Sequence, residues 1–186
     1  LAWRKNQLDY KNTPANAPAA ILAFRLYQRF NREEDLQWGK QILNWLMENL
    51  VDPDTSFVWD GINRQGDNKI DYDWKYTYNQ GVVIGALVEL YKIKKKEELL
   101  NRAIQIALIT KKLLADPHGG ILPYEGVDDC GLFKGIFVRY LCELILIKPE
   151  LLELKEWLLY NAKTLINKGI NENGLVGGDW TIKEEK

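Results

Sequence analysis

Apolar residues return at helical spacing through most of the chain, and they do so in pairs of segments. Residues 15–30 (ANAPAAILAFRLYQRF) and 33–50 (EEDLQWGKQILNWLMENL) form the first pair, 79–93 and 96–115 the second, and 131–147 and 150–168 the third. Pro18 is tolerated in a first helical turn, and Pro149 suits a first helical position. Glu97 and Glu98 favour the start of the fourth helix through the helix dipole.

The two members of each pair differ. The first is rich in small and apolar residues with few charges, as in AAILAFRLY, GVVIGALVELY and GLFKGIFVRYLCEL, which predicts a helix buried on nearly every side. The second is amphipathic; Leu36, Leu43, Leu46, Met47 and Leu50 share one face of residues 33–50. A repeat of roughly 55 to 65 residues that cannot bury its own face must stack on its neighbours. Inner helices shielded by outer ones predict an all-α toroid of helical hairpins, in a single domain over 1–186. Three hairpins amount to about half of an (α/α)6 barrel.

Connections within pairs are short, whereas loops 51–78 and 116–130 and the segment after Asn167 are long and leave from one end. Long loops in a compact domain usually carry function. The mouth so predicted holds Trp59, Asp60, Asp71, Tyr72, Asp73, Trp74, Tyr76, Tyr78, Asn79 and Gln80 from the first loop. Tyr124, Glu125, Asp128 and Asp129 come from the second, and Asn12 and Asn16 precede the first inner helix. A purely structural role for the first loop would use Thr77 or Asn79 as N-cap of the helix it enters.

Composition narrows the chemistry. With 46% hydrophobic and 27% charged residues the balance is that of a globular domain, and a net charge of −1 argues against a nucleic-acid surface. Lys92, Lys94, Lys95 and Lys96 run directly into Glu97 and Glu98, which reads as a solvated turn between helices. No apolar run is long enough for a membrane span, and LAWRKNQLDY lacks the apolar stretch of a signal peptide, which leaves the compartment open. Cys130 and Cys142 on one helix would stand about 18 Å apart, too far to bridge. With His118 the single histidine, no zinc pattern forms, and neither metal nor cofactor is expected. Ser56 is the single serine; it and His118 sit in the turn sequences DPDTS and DPHGG rather than in a nucleophile–base arrangement.

Carboxylates and aromatics remain. Sugar rings stack their C–H faces on aromatic side chains, and their hydroxyls bond to carboxylates and amides. Trp38, Trp45 and Trp157 fall in outer helices and are expected in the core. Glycoside hydrolysis needs two carboxyl groups, and Asp128-Asp129 is the tempting pair. Neighbours on a helix point about 100° apart, and both could instead serve free N–H groups at a helix start.

Together, NTPANAPAAILAFRLY, YTYNQGVVIGALVELY and FKGIFVRYL resemble glycoside hydrolase family seventy-six, the bacterial endo-α-1,6-mannanases, from Trp3 to about Trp180. The resemblance implies an (α/α)6 barrel and a retaining attack on α-1,6-linked mannose chains by an adjacent Asp pair. That pair belongs ahead of the NTPANAPAA segment, hence upstream of Leu1. Asp128-Asp129 lies in a later segment without the matching Trp and does not take the role. On this reading the chain is the second half or so of the enzyme, inactive alone, and its partner is the other half of the barrel or a second copy. Carried over by position, Asn12, Asn16, Tyr76, Tyr78, Asn79, Gln80, Asp129 and Lys134 would line a mannan groove, with Trp59, Asp60 and Asp128 beside them. The competing expectations are a non-catalytic carbohydrate-binding module or pseudoenzyme and, behind it, a helical scaffold for protein.

Overall fold

The computed structural model describes residues 1–183, and among these six α-helices form three hairpins. The helices are α1 (Thr13–Phe30), α2 (Glu33–Asn49), α3 (Thr77–Lys94), α4 (Glu97–Thr110), α5 (Phe133–Ile147) and α6 (Leu152–Thr164). A short antiparallel ribbon joins β1 (Lys11–Asn12) to β2 (Gly61–Ile62), with Asn12 opposite Gly61. Helices α1, α3 and α5 form the inner layer with α3 in the middle, and α2 and α4 pack behind α1 and α3. Behind α5, the Trp157 ring of α6 meets Phe137 at 5.7 Å.

The apolar patterning accounts for these layers. Every residue of α3 from Asn79 to Leu90 is buried, as the almost wholly apolar GVVIGALVEL predicts. Two glycines make the central contact possible. A Cβ on Gly81 would lie 2.5 Å from the Phe137 Cα, and one on Gly85 2.4 Å from the Tyr140 ring, so α3 and α5 approach backbone to backbone. The outer helices bury one stripe each: Leu36, Leu43 and Leu46 on α2, and Leu100, Ala103, Ile106 and Ala107 on α4. Each such leucine contributes about 2 kcal/mol by leaving water. The two flanking inner helices are covered on one side, leaving Leu22 of α1 59% and Leu146 of α5 79% exposed.

Several termini depart from the sequence reading. Helix α1 begins at Thr13, where the Asn12 side chain accepts a 3.2 Å bond from the Ala15 N–H. Helix α3 begins at Thr77, so neither Thr77 nor Asn79 is its N-cap; Tyr76 occupies that position and makes no side-chain cap bond. Pro149 lies in the turn before α6, which starts only at Leu152. Helices α4 and α6 both end toward the long loops in widened turns, Lys111–Ala115 and Leu165–Gly169. Ser56 adopts a left-handed φ of 68°, and His118 closes a short turn before Gly119, as their turn sequences imply. Cys130 and Cys142 are both free.

At the end away from the loops, Lys92 is a partly exposed ion-pair partner rather than a free turn lysine. Its ammonium pairs with Glu89 at 3.0 Å and Glu143 at 3.2 Å, while Arg25 reaches the same two carboxylates at 2.9 and 3.0 Å. Gln28 adds a 2.8 Å bond to Glu89. The three inner helices are thus cross-linked there by charge. No helix among the described residues is long and apolar enough to cross a membrane.

Candidate functional site: an aromatic cleft over a buried aspartate

The β1–β2 ribbon sets the floor of the mouth. Its register lays Tyr10 over Gly61, where any Cβ would come within 2.6 Å of the Tyr10 ring. The first residue of α1 then anchors the incoming loop: Thr13 donates its N–H to the Asp60 carbonyl and its hydroxyl to the Trp59 carbonyl, each at 2.7 Å. Asp60 is thereby fixed above the starts of α1 and α3, with 1% of its surface exposed.

Three neutral donors converge on its carboxylate. The Tyr78 hydroxyl (2.7 Å) and the Asn79 amide (3.0 Å) donate to Oδ1, and the Tyr10 hydroxyl donates to Oδ2 at 3.0 Å. Burial, reinforced by the Asp60 charge, pushes the pKa of both phenols well above the ordinary tyrosine value of 10.0. Tyr10 and Tyr78 therefore stay protonated and keep donating.

An aromatic wall rises from this floor. Tyr76 stacks on Tyr78 with centroids 5.8 Å apart, and Phe133 meets the two rings at 5.2 and 4.2 Å. Trp74 stands 6.2 Å beyond Tyr76, and the Arg64 guanidinium, held by Asp71 at 2.9 Å, lies 4.3 Å over the Trp74 ring. The wall and floor bound an open cleft of about 870 Å³, whose lining also includes Trp3, Gln7, Asp129 and Cys130.

Of the residues expected in the groove, Asn12, Asp60, Tyr76, Tyr78 and Asp129 line this cleft. Asn79 lies beneath it, fully buried and bonded to Asp60. Others sit elsewhere for definite reasons. Asn16 is buried, with its amide donating to the carbonyls of Asn12 and Leu1 at 2.8 and 2.9 Å. Gln80 is spent on Val58, accepting its N–H at 2.9 Å and donating to its carbonyl at 2.6 Å, which ties the long loop to α3. Trp59 packs edge-on to Phe57 and Tyr72, away from the cleft lining.

Asp128 takes a left-handed φ of 53° and borders a separate hollow with Tyr124 and Val127, so it and Asp129 do not share a site. The short turn Asp128–Leu132 that they open carries no side-chain cap bond either. Lys134 is 1% exposed; its ammonium donates to the Pro123 carbonyl at 2.7 Å and to that of Gly178, over the Trp180 ring. Burial lowers its pKa. Lys134 ties two loops together and does not line this cleft.

The sequence reading missed Tyr10, Gln7, Trp3, Arg64 and Phe133. Tyr10 had a signal, standing just ahead of the Asn12 cap; the others are brought in by the ribbon and by the start of α5.

The family model for glycosyl hydrolase family 76 matches residues 1–186. An α-1,6-mannanase, GH76A of Salegentibacter sp. HEL1_6, superposes with a TM-score of 0.94 at 38% identity, over 100% of this chain and 56% of that one. An inactive variant of it, with two neighbouring aspartates replaced and α-1,6-mannotetrose bound, gives 0.94 at 39% identity, again over 100% and 56%. The Lin0763 protein of Listeria innocua gives 0.93 at 41% identity over 100% and 53%. Mannan endo-1,6-alpha-mannosidase DCW1 of Candida albicans is 24% identical over 188 residues, covering 93% of this chain and 41% of that protein. The chain thus spans about half the length of these solved structures, and its three hairpins are an arc of an (α/α)6 toroid.

Proposed function

The chain belongs to glycosyl hydrolase family 76, and on that premise we propose that it forms one wall of the cleft of an enzyme that hydrolyses α-1,6-linked mannose chains. The observation that carries the proposal is the cleft itself. Aromatic faces stand over a sealed carboxylate that is held by hydroxyl and amide groups, on a backbone shared with an α-1,6-mannanase at a TM-score of 0.94.

Trp74 and Tyr76 offer ring faces for the C–H-rich sides of mannose residues. Asn12 and Asp129, both in the lining, present an amide and a carboxylate to hydroxyls. Tyr10 and Tyr78 each donate inward to Asp60, which leaves their oxygen lone pairs to accept a sugar O–H. Asp60 is a poor candidate for nucleophile or acid, because it is almost sealed and already accepts three bonds. It orients the groups that touch the sugar. Hydrolysis by a retaining route needs a nucleophile and an acid/base only about 5 Å apart. We assign that pair to the Asp-Asp expected ahead of Leu1; the inactive Salegentibacter variant altered at two neighbouring aspartates supports this.

The test is to incubate the full-length protein with α-1,6-mannotetraose and follow the products by chromatography and the anomeric proton by NMR. Shorter α-1,6-mannose oligomers released with the α-configuration retained are the expected result. Binding without cleavage would leave the carbohydrate-binding reading instead. Absence of binding would overturn both.

A further inference from the structure

Helix α3 enters the mouth without a cap of its own. Its N-cap, Tyr76, makes no side-chain cap bond, and its first turn, Thr77–Gln80, holds no acid. Helix α1 has Asn12, α2 opens on Glu33, Glu34 and Asp35, and α4 on Glu97 and Glu98. Yet the start of α3 is where Tyr76 and Tyr78 must be held. The cap comes from 48 residues further along the chain: Glu125 Oε1 accepts the Thr77 N–H at 2.6 Å, and Oε2 accepts the Thr77 hydroxyl at 2.6 Å.

Glu125 is itself firmly placed. The Pro123 carbonyl is held by the buried Lys134 ammonium at 2.7 Å, and the Leu122 N–H by Asn161 at 2.9 Å. A few residues beyond Glu125 the same loop delivers Asp129 and Cys130 to the cleft lining. One carboxylate therefore joins the loop that carries Asp129 and Cys130 to the helix turn that carries Tyr78.

We infer that Glu125 is a positioning residue for sugar binding: by clamping the first turn of α3 to the loop 122–130, it sets how Tyr76 and Tyr78 stand relative to Asp129 in the cleft lining. The inference rests on the cleft being the sugar site. The clamp works through hydrogen-bond geometry rather than charge, because both of its contacts are to neutral groups of Thr77. Burial, acting against the Thr77 bonds and the Lys134 charge, raises the Glu125 pKa and disfavours its ionised form. A glutamine can reproduce both contacts, accepting from the N–H and donating to the Thr77 hydroxyl oxygen. An alanine can make neither.

The experiment uses the full-length protein as wild type, Glu125→Ala, Glu125→Gln and Leu100→Ala. The last is a remote core truncation in α4 that controls for general destabilisation. Amide hydrogen exchange over residues 77–80 and calorimetric affinity for α-1,6-mannotetraose are measured for each. Loss of the cap should speed exchange in that turn and weaken affinity, each by about tenfold, in Glu125→Ala. Glu125→Gln should stay within about twofold of wild type, and Leu100→Ala should melt earlier yet bind as wild type. Unchanged exchange or affinity in Glu125→Ala overturns the inference, as does a Glu125→Gln that behaves like the alanine variant. So does a Leu100→Ala that loses as much affinity. If wild type fails to bind the tetraose at all, the sugar reading of the cleft falls and takes the binding role of Glu125 with it. Exchange then decides the clamp alone.

Discussion

Asp60 and Glu89 are two nearly sealed carboxylates at opposite ends of the inner helix layer, and each is reached by three side chains. Asp60 is held by two phenols and an amide. Glu89 is held by Arg25, Lys92 and the Gln28 amide. Burial alone would raise the Glu89 pKa, but the bonds from Gln28, Lys92 and Arg25 outweigh it and leave the carboxyl below its usual value. Cations neutralise Glu89 within the protein and lock α1, α3 and α5 together. Neutral donors hold Asp60, and two of them, Tyr10 and Tyr78, line the open cleft. Partner chemistry, more than burial, separates the carboxylate that cross-links the inner helices from the one that lies under the cleft.

The largest effect expected from breaking this contrast is at Asp60. Asp60→Ala orphans the donors of Tyr10, Tyr78 and Asn79, and should cost about 3 kcal/mol in denaturant unfolding. Affinity of the full-length protein for α-1,6-mannotetraose should fall by about 100-fold, and unaltered affinity would remove Asp60 from the site. Glu89→Ala should cost about 2 kcal/mol, less than a fully buried pair because Arg25 and Lys92 are partly solvated, with affinity unchanged. A drop in affinity there would erase the distinction between the two ends.

The two ends should also separate by pH. The Glu89 carboxyl titrates below its ordinary 4.5 in the folded protein, so its contribution is present above 4.5 and lost as pH falls through the lower folded value. Glu89→Gln should flatten that acid limb in pH-dependent melts. Tyr78 titrates above 10.0, so its contribution is present below 10.0 and lost as the solution becomes more alkaline; Tyr78→Phe should flatten the alkaline limb instead. The smallest effect concerns Gln80. Gln80→Ala should cost about 1 kcal/mol through the unpaired Val58 backbone and leave affinity as it is. Weaker binding with intact stability would return Gln80 to the groove.

Burial on all sides of α3 and on one stripe of α2 was legible because the two leave different periodicities, whereas α1 and α5, read like α3, keep Leu22 and Leu146 exposed. The mouth was legible as a region because its aromatics crowd into one long loop. The use of each polar group was not. Gln80 and Asn79 are adjacent on α3, yet one is spent on the loop backbone and the other on Asp60; only the path of residues 57–62 decides between them. Lys134 looked like a groove cation, but its turn faces the Pro123 and Gly178 carbonyls. The cap of α3 was sought within its own first turn and came from Glu125, a pairing that local rules of helix capping do not reach. The splay of Asp128 from Asp129 depends on a left-handed backbone at a non-glycine residue, which composition does not announce.

The uniform burial of α3 has a consequence outside the native state. Its stretch VVIGALV, residues 82–88, is uncharged and rich in β-branched side chains, the profile of a segment prone to intermolecular strand pairing. An amphipathic helix can hide its stripe against a single neighbour, but α3 is covered only when both α1 and α5 have docked, and α5 ends at Ile147. Until then the stickiest part of the chain waits on a segment made some fifty residues later. Recovery from the unfolded state is therefore a race between closure of the inner layer and aggregation, and the yield of refolded protein falls as its concentration rises.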